Sequence, residues 1–115
     1  ITHDSLPVDY GDVQMQIDLG AELLAAERGT EKIAVEVKSF LSPSAISEFH
    51  TAAGQYYNYR YALQIKDPER SLYLAVPSLI YEQFFRLQFI QEIVRAQAIL
   101  LIVYDPKTGS MQWIN

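Results

Sequence analysis

Val13-Gln14-Met15-Gln16-Ile17-Asp18-Leu19 alternates apolar with polar side chains, the period of a strand with one face buried, and so places Asp18 on the face of Gln14 and Gln16. From Gly20 to Glu31 the alternation lapses. This stretch reads as a link closed by a Gly29-Thr30 turn, with Glu22, Glu27 and Glu31 in a solvated loop. A second strand is predicted over Lys32 to Phe40. Ser42-Pro43 then opens a helix, the serine oxygen capping free amides and the proline fitting the first turn. That helix extends from about Pro43 to Ile65, with a core stripe of Ile46, Phe49, Ala53, Tyr56, Tyr57 and Leu63 at spacings of three and four. Gly54 costs about 1 kcal/mol against alanine inside a helix, which predicts a close approach of the helix to the sheet there.

Ser71 to Val76 reads as a third long strand, followed by a helix from Pro77-Ser78 to about Arg95. That helix has two apolar stripes, Leu79, Ile80, Phe84, Leu87 and Val94 on one side and Phe85, Phe89 and Ile93 on the other. The second stripe calls for a cover: an upstream N-terminal segment or the rest of the core, or else a homodimer or partner surface. Ala98 to Tyr104 is apolar throughout and is expected to be buried on both faces. A turn at Asp105-Pro106-Lys107-Thr108-Gly109 precedes a last strand, Ser110 to Ile114. With a strand-like opening at the N-terminus, the order βββαβαββ predicts an α/β fold, a mixed sheet with flanking helices.

Composition narrows the possibilities. At 115 residues, 50% hydrophobic and 20% charged, the chain suits one globular domain spanning 1–115, and its longest apolar run is too short to cross a membrane. Cysteine is absent, which excludes disulfides and thiolate-bound zinc and suits a reducing cytoplasm. The net charge of -5, with scattered basic residues, argues against strong non-specific nucleic-acid binding. Up to Glu31 the acids are opposed only by Arg28, a local field that a divalent cation or a basic partner would relieve. The chain opens on Ile1 rather than Met, which leaves room for an upstream segment.

The run from Lys32 to Phe40 carries the candidate chemistry. Glu36 and Lys38 are two residues apart and share a strand face, whereas Val35 and Val37 point the other way. Charges placed there need a partner, a metal or a solvent-filled cleft. Asp18 and Glu36, with a backbone carbonyl near Val37, offer hard oxygen ligands for Mg2+ or Mn2+. Lys38 would orient or deprotonate a water and neutralise charge developing on a phosphodiester. The alternative reading of the pair is a solvated strand face with Glu36 and Lys38 matched to each other.

The following helix contains Gln55-Tyr56-Tyr57-Asn58-Tyr59, with Gln55 and Tyr59 one turn apart. Asp18, Glu36-Val37-Lys38 and Gln55-X-X-X-Tyr59 together resemble the PD-(D/E)XK nuclease superfamily, in the branch with a Gln-X-X-X-Tyr helix. More closely, Ile1 to Asp4, Val13 to Glu22, Ile33 to Phe40, Gly54-Gln55-Tyr56 and Leu72 to Pro77 resemble the XisH family over nearly the whole chain. These are excision-controlling factors tied to removal of a DNA element from a nitrogen-fixation gene in cyanobacteria. The resemblance implies a restriction-endonuclease-like core, Asp18 and Glu36 as metal ligands, Lys38 as the catalytic lysine, and Gln55 and Tyr59 contacting the substrate backbone or positioning the site. The superfamily's usual helix ahead of the first strand, with its acidic residue, has no counterpart in the sequence.

Two functions compete on these residues. One is a metal-dependent DNA phosphodiesterase within a site-specific recombination system. The other is a non-catalytic accessory protein that uses the same fold to bind DNA, a recombinase or a second excision factor. His3 and His50 lack metal-ligand spacing, and no nucleotide-binding or helix-turn-helix pattern is present.

Overall fold

The computed structural model describes residues 4–5, 9–10, 13–14 and 21–114, with side chains from residue 23 onward. Three two-residue strands, β1 (Asp4–Ser5), β2 (Asp9–Tyr10) and β3 (Val13–Gln14), precede the long hairpin of β4 (Ala21–Arg28) and β5 (Glu31–Lys38). Helix α1 (Ala45–Lys66) connects β5 to β6 (Ser71–Pro77). A broken helical segment, α2 (Ser78–Ile80), a π turn (Tyr81–Phe85) and α3 (Gln88–Ala96), leads to β7 (Leu100–Tyr104) and β8 (Met111–Ile114). The sheet order is β1-β4-β5-β6-β7-β8, and β2 pairs with β3 separately. Because β5, β6 and β7 run parallel while β4 and β8 are antiparallel to their neighbours, the sheet is mixed, as expected.

The link expected over Gly20 to Glu31 is instead β4, the antiparallel partner of β5. Leu23 faces one side of the sheet and Ala26 the other, and both are buried. A strand covered on both faces has no apolar-polar alternation to betray it. Glu27 and Glu31, expected in a loop, stand opposite Lys32 and Arg28 in the register, where opposite charges favour pairing. Gly29, at φ 63, makes the intervening turn. Of the strand expected over Val13 to Leu19, only Val13–Gln14 lies within the described residues, and it pairs with β2.

Helix α1 starts two residues later than expected. Its N-cap is Ser44, whose Oγ accepts from the Ser47 amide at 3.2 Å, while the Ser42 Oγ accepts from Ser44 N. The buried stripe is Phe49, Ala52, Ala53, Tyr56, Tyr59, Ala62 and Leu63; Ile46 is exposed and Tyr57 half-buried. Gly54 is exposed and a Cβ there would meet nothing within 4 Å, so the expected close approach is absent.

The second helix is not continuous. A π turn swings Phe84 and Phe85 inward together, and the chain breaks at Leu87 before α3 resumes. Phe85 therefore belongs to the core rather than to an outer stripe. Its ring meets those of Phe40, Phe49 and Phe84 edge-on, at centroid distances of 5.6, 5.6 and 5.4 Å. Leu79, Leu87 and Phe89 remain exposed.

Both crossovers, β5-α1-β6 and β6-α3-β7, pack on one face. Leu23, Ala34, Leu72, Leu74, Val76, Leu101 and Val103 point to it and meet α1, the π turn and α3. The other face gathers Ala26, Ile33, Val35, Tyr73, Ala75 and Ile102, beside which Arg28 stacks on Trp113. Strand β7 is thus buried on both sides, as its sequence predicted. No helix among the described residues is long and apolar enough to cross a membrane.

Tyr56 ties helix to sheet: its hydroxyl donates to the Leu72 carbonyl at 2.7 Å and accepts from the Leu100 amide at 3.2 Å. Tyr56→Phe leaves both strand groups without that partner and should cost about 1–3 kcal/mol in urea unfolding. Burial raises the Tyr56 pKa above its ordinary value, opposed by the Leu100 bond and Arg60. The unfolded chain therefore releases this proton first. Stability from this group is full below about pH 10 and is lost as pH rises through the folded pKa, a slope that alkaline melts of Tyr56→Phe should lack. Phe85→Ala should destabilise by about 3–5 kcal/mol, read by the same unfolding experiment.

Candidate active site

Strand β5 is hydrogen-bonded to β4 on one side and β6 on the other, so its side chains alternate between the two buried faces. Ile33 and Val35 belong to the helix-free face and Ala34 to the helix-covered one. Glu36 therefore points at the helices, and Lys38, two residues on, shares its face. In the register Glu36 stands between Leu23 on β4 and Leu74 on β6, both wholly or almost wholly buried. Glu36 itself is 0% exposed and Lys38 5%. They are the buried charged residues among the described residues, and the sequence had placed both on one strand face.

The pair sits at the end of the strand. Val37 is the last residue of β5 with partners on both sides, Glu22 and Ala75, whereas Lys38 pairs with Ala21 alone. Two positions further, Phe40 adopts φ 55, in the left-handed region a bulky residue avoids, and turns its ring into the phenylalanine cluster. Lys38 thus lies between a sheet position already vacated by β6 and a strained turn. The roughly 7 Å between alternate strand residues keeps carboxylate and ammonium within reach of one phosphate-sized group.

Helix α1 covers this face. Gln55 is half-buried, and Tyr59, at 3% exposure, sits within the core, a place suited to positioning the helix. Tyr56, between them, feels the site: after burial, the negative charge of Glu36 is a further cause raising its pKa.

Asp18, the third predicted site residue, lies outside the described residues; in sequence it is three positions ahead of Ala21, the partner of Lys38. Among the described residues, no three His, Cys, Asp or Glu side chains converge to hold a metal ion. The donors that are described, the Glu36 carboxylate and the Val37 carbonyl, suit Mg2+, which accepts one or two carboxylates and keeps several waters. They would supply part of the oxygen donors of such a site.

Sequence reading missed the arginines. Arg70 ties the start of β6 to the hairpin, its guanidinium donating to the Ile33 carbonyl at 2.7 Å and the Ala26 carbonyl at 3.4 Å while pairing with Asp67 at 3.0 Å. Arg60 donates to the Gln97 and Ala98 carbonyls at 2.8 and 3.3 Å. Neither residue falls in a motif, and these contacts join segments distant in sequence, so no local signal marks them.

The family model described as XisH protein matches residues 1–112. A crystal structure of an XisH family protein from Nostoc punctiforme PCC 73102 is 50% identical, with a TM-score of 0.86, over 96% of this chain and 83% of that one. A crystal structure of a fdxN element excision controlling factor protein from Anabaena variabilis is likewise 50% identical, with a TM-score of 0.87, over 97% and 84%. No curated protein matches the chain. Since the family model spans almost every residue and half of the residues recur in two solved relatives of the same fold, this chain belongs to the XisH family.

Proposed function

We propose that this chain is an excision-controlling factor of a site-specific DNA recombination system and carries a Mg2+- or Mn2+-dependent phosphodiesterase site of the PD-(D/E)XK type at the open end of β5. One observation supports the reading above others: a fully buried carboxylate and a nearly buried ammonium share one face of a central strand, at the point where the neighbouring strand leaves it. Packing alone disfavours that arrangement, because taking each charge out of water costs several kcal/mol. The excision role comes from the Anabaena variabilis relative, which is named for it.

In this reading Glu36, the Val37 carbonyl and Asp18 hold the ion, which when bound supplies positive charge beside the scissile phosphate. Lys38 donates hydrogen bonds that orient the attacking water and offset the negative charge growing on the phosphate oxygens as the P–O ester bond breaks. Tyr59 holds α1 against the sheet, and Gln55 is placed to support the substrate backbone. The apolar walls from Leu23 and Leu74 exclude bulk water and so strengthen both charges' effects.

The second reading, a non-catalytic accessory protein that grips a recombinase, a second excision factor or DNA, draws on the net charge of -5. Strong DNA binding by such an acidic chain needs either a divalent ion or a basic partner.

Wild-type protein should gain thermal stability on adding Mg2+ or Mn2+ and should cleave branched, single-stranded or duplex DNA. Lys38→Ala should keep the metal-induced rise in Tm yet cut the cleavage rate by about 10²–10³. Glu36→Gln should lose both responses while remaining folded. A wild-type chain showing neither a metal-dependent Tm nor cleavage sinks the phosphodiesterase reading and leaves the accessory one.

A further inference from the structure

At the end of the sheet remote from Lys38, a polar cleft of about 250 Å3 lies between the C-terminal half of α1 and the beginnings of β6 and β7. Ser71, which lines it, pairs with Ile33, five residues before Lys38 on β5, so the cleft and the candidate active site are roughly 17 Å apart along the strand. Its polar lining is Arg60, Gln64, Arg70, Ser71 and Tyr56, and among the described residues no carboxylate lines it. In a chain with 14 acidic and 9 basic residues, two guanidiniums line this one cleft, and among the described residues only one of them is paired with a carboxylate.

The two arginines differ. Arg70 is matched by Asp67 at 3.0 Å and is held in place by strand carbonyls. Arg60 takes part in neither ion pair found among the described residues. Its guanidinium rests over the rings of Tyr56 and Tyr57, at 5.1 and 5.6 Å, and is fixed by the Gln97 and Ala98 carbonyls. The cleft therefore holds a positive charge on a pre-oriented planar donor, beside the neutral amide of Gln64. Pre-orientation lowers the entropy lost when an anion docks, and a guanidinium matches the paired oxygens of phosphate.

We infer that this cleft is a phosphate-binding site, separate from the Glu36-Lys38 centre, in which Arg60 supplies the charge and Gln64 adds a neutral donor. The group it takes is a phosphate ester, whether of a free nucleotide or of a nucleic-acid backbone. This site does not depend on the ion chemistry proposed for β5, and its failure leaves that proposal intact.

Titration of 15N-labelled wild type with inorganic phosphate, with AMP and with a short DNA duplex, followed by amide shifts, tests the assignment. The Gln64 and Ser71 amides should move saturably with phosphate. If AMP moves the same amides and duplex does not, the natural source is a free phosphate ester; if duplex moves them with an affinity that falls steeply with salt, the source is a nucleic-acid backbone. Arg60→Gln should weaken phosphate at least about tenfold. Because Arg60 also braces the turn at Ala98, Gln64→Glu serves as the second variant: it places a carboxylate in the cleft at an exposed position and should abolish the shifts with the rest of the spectrum unchanged. Unmoved Gln64 and Ser71 amides in the folded wild type with all three probes overturn the proposal, as does full binding by Gln64→Glu.

Discussion

The energetic constraint around which this molecule is organised is the burial of Glu36. On the helix-covered face of this central strand, between the buried Leu23 and Leu74, a charged residue has no bulk water to solvate it. Lys38 stands at the strand's exit, where the β6 pairing has ended at Val37 and the chain turns through the left-handed residue Phe40. Residues held in uncommon backbone regions persist when packing over-determines them, and here four phenylalanines supply that packing.

The topology concentrates chemistry on one side. Successive parallel crossovers put α1 and α3 on the same face, so the acid, the lysine and the helix bearing Gln55 and Tyr59 share one layer while the opposite layer is built from aliphatic and aromatic contacts. Tyr56 connects the two ends of this arrangement: its hydroxyl fastens β6 and β7 to the helix, its ring supports Arg60, and it feels the charge of Glu36.

Much of this was legible from the sequence, and where it was not the reasons are physical. Strand alternation put Glu36 and Lys38 on one face, and the uniformly apolar β7 announced its burial on both faces. The same rule concealed β4, because a strand apolar on both sides gives no period. The second helix misled for a related reason: helical periodicity assumes 3.6 residues per turn, and the π turn at Tyr81–Phe85 shifts the phase so that Phe84 and Phe85 turn inward together. Glu36-Val37-Lys38 was visible as a motif, but its complete burial depended on Leu23 and Leu74 arriving from flanking strands. The arginine cleft was invisible, since Arg60, Arg70 and the Gln97-Ala98 turn meet only in the folded chain.

On the proposed reading, Glu36 holds a divalent ion. Soaking crystals of the full chain in Mn2+ and recording the anomalous signal tests this at the atom concerned. A peak is expected within about 2.0–2.3 Å of a Glu36 carboxylate oxygen. A saturated soak with no peak at Glu36, the carboxylate remaining packed between Leu23 and Leu74, would contradict it.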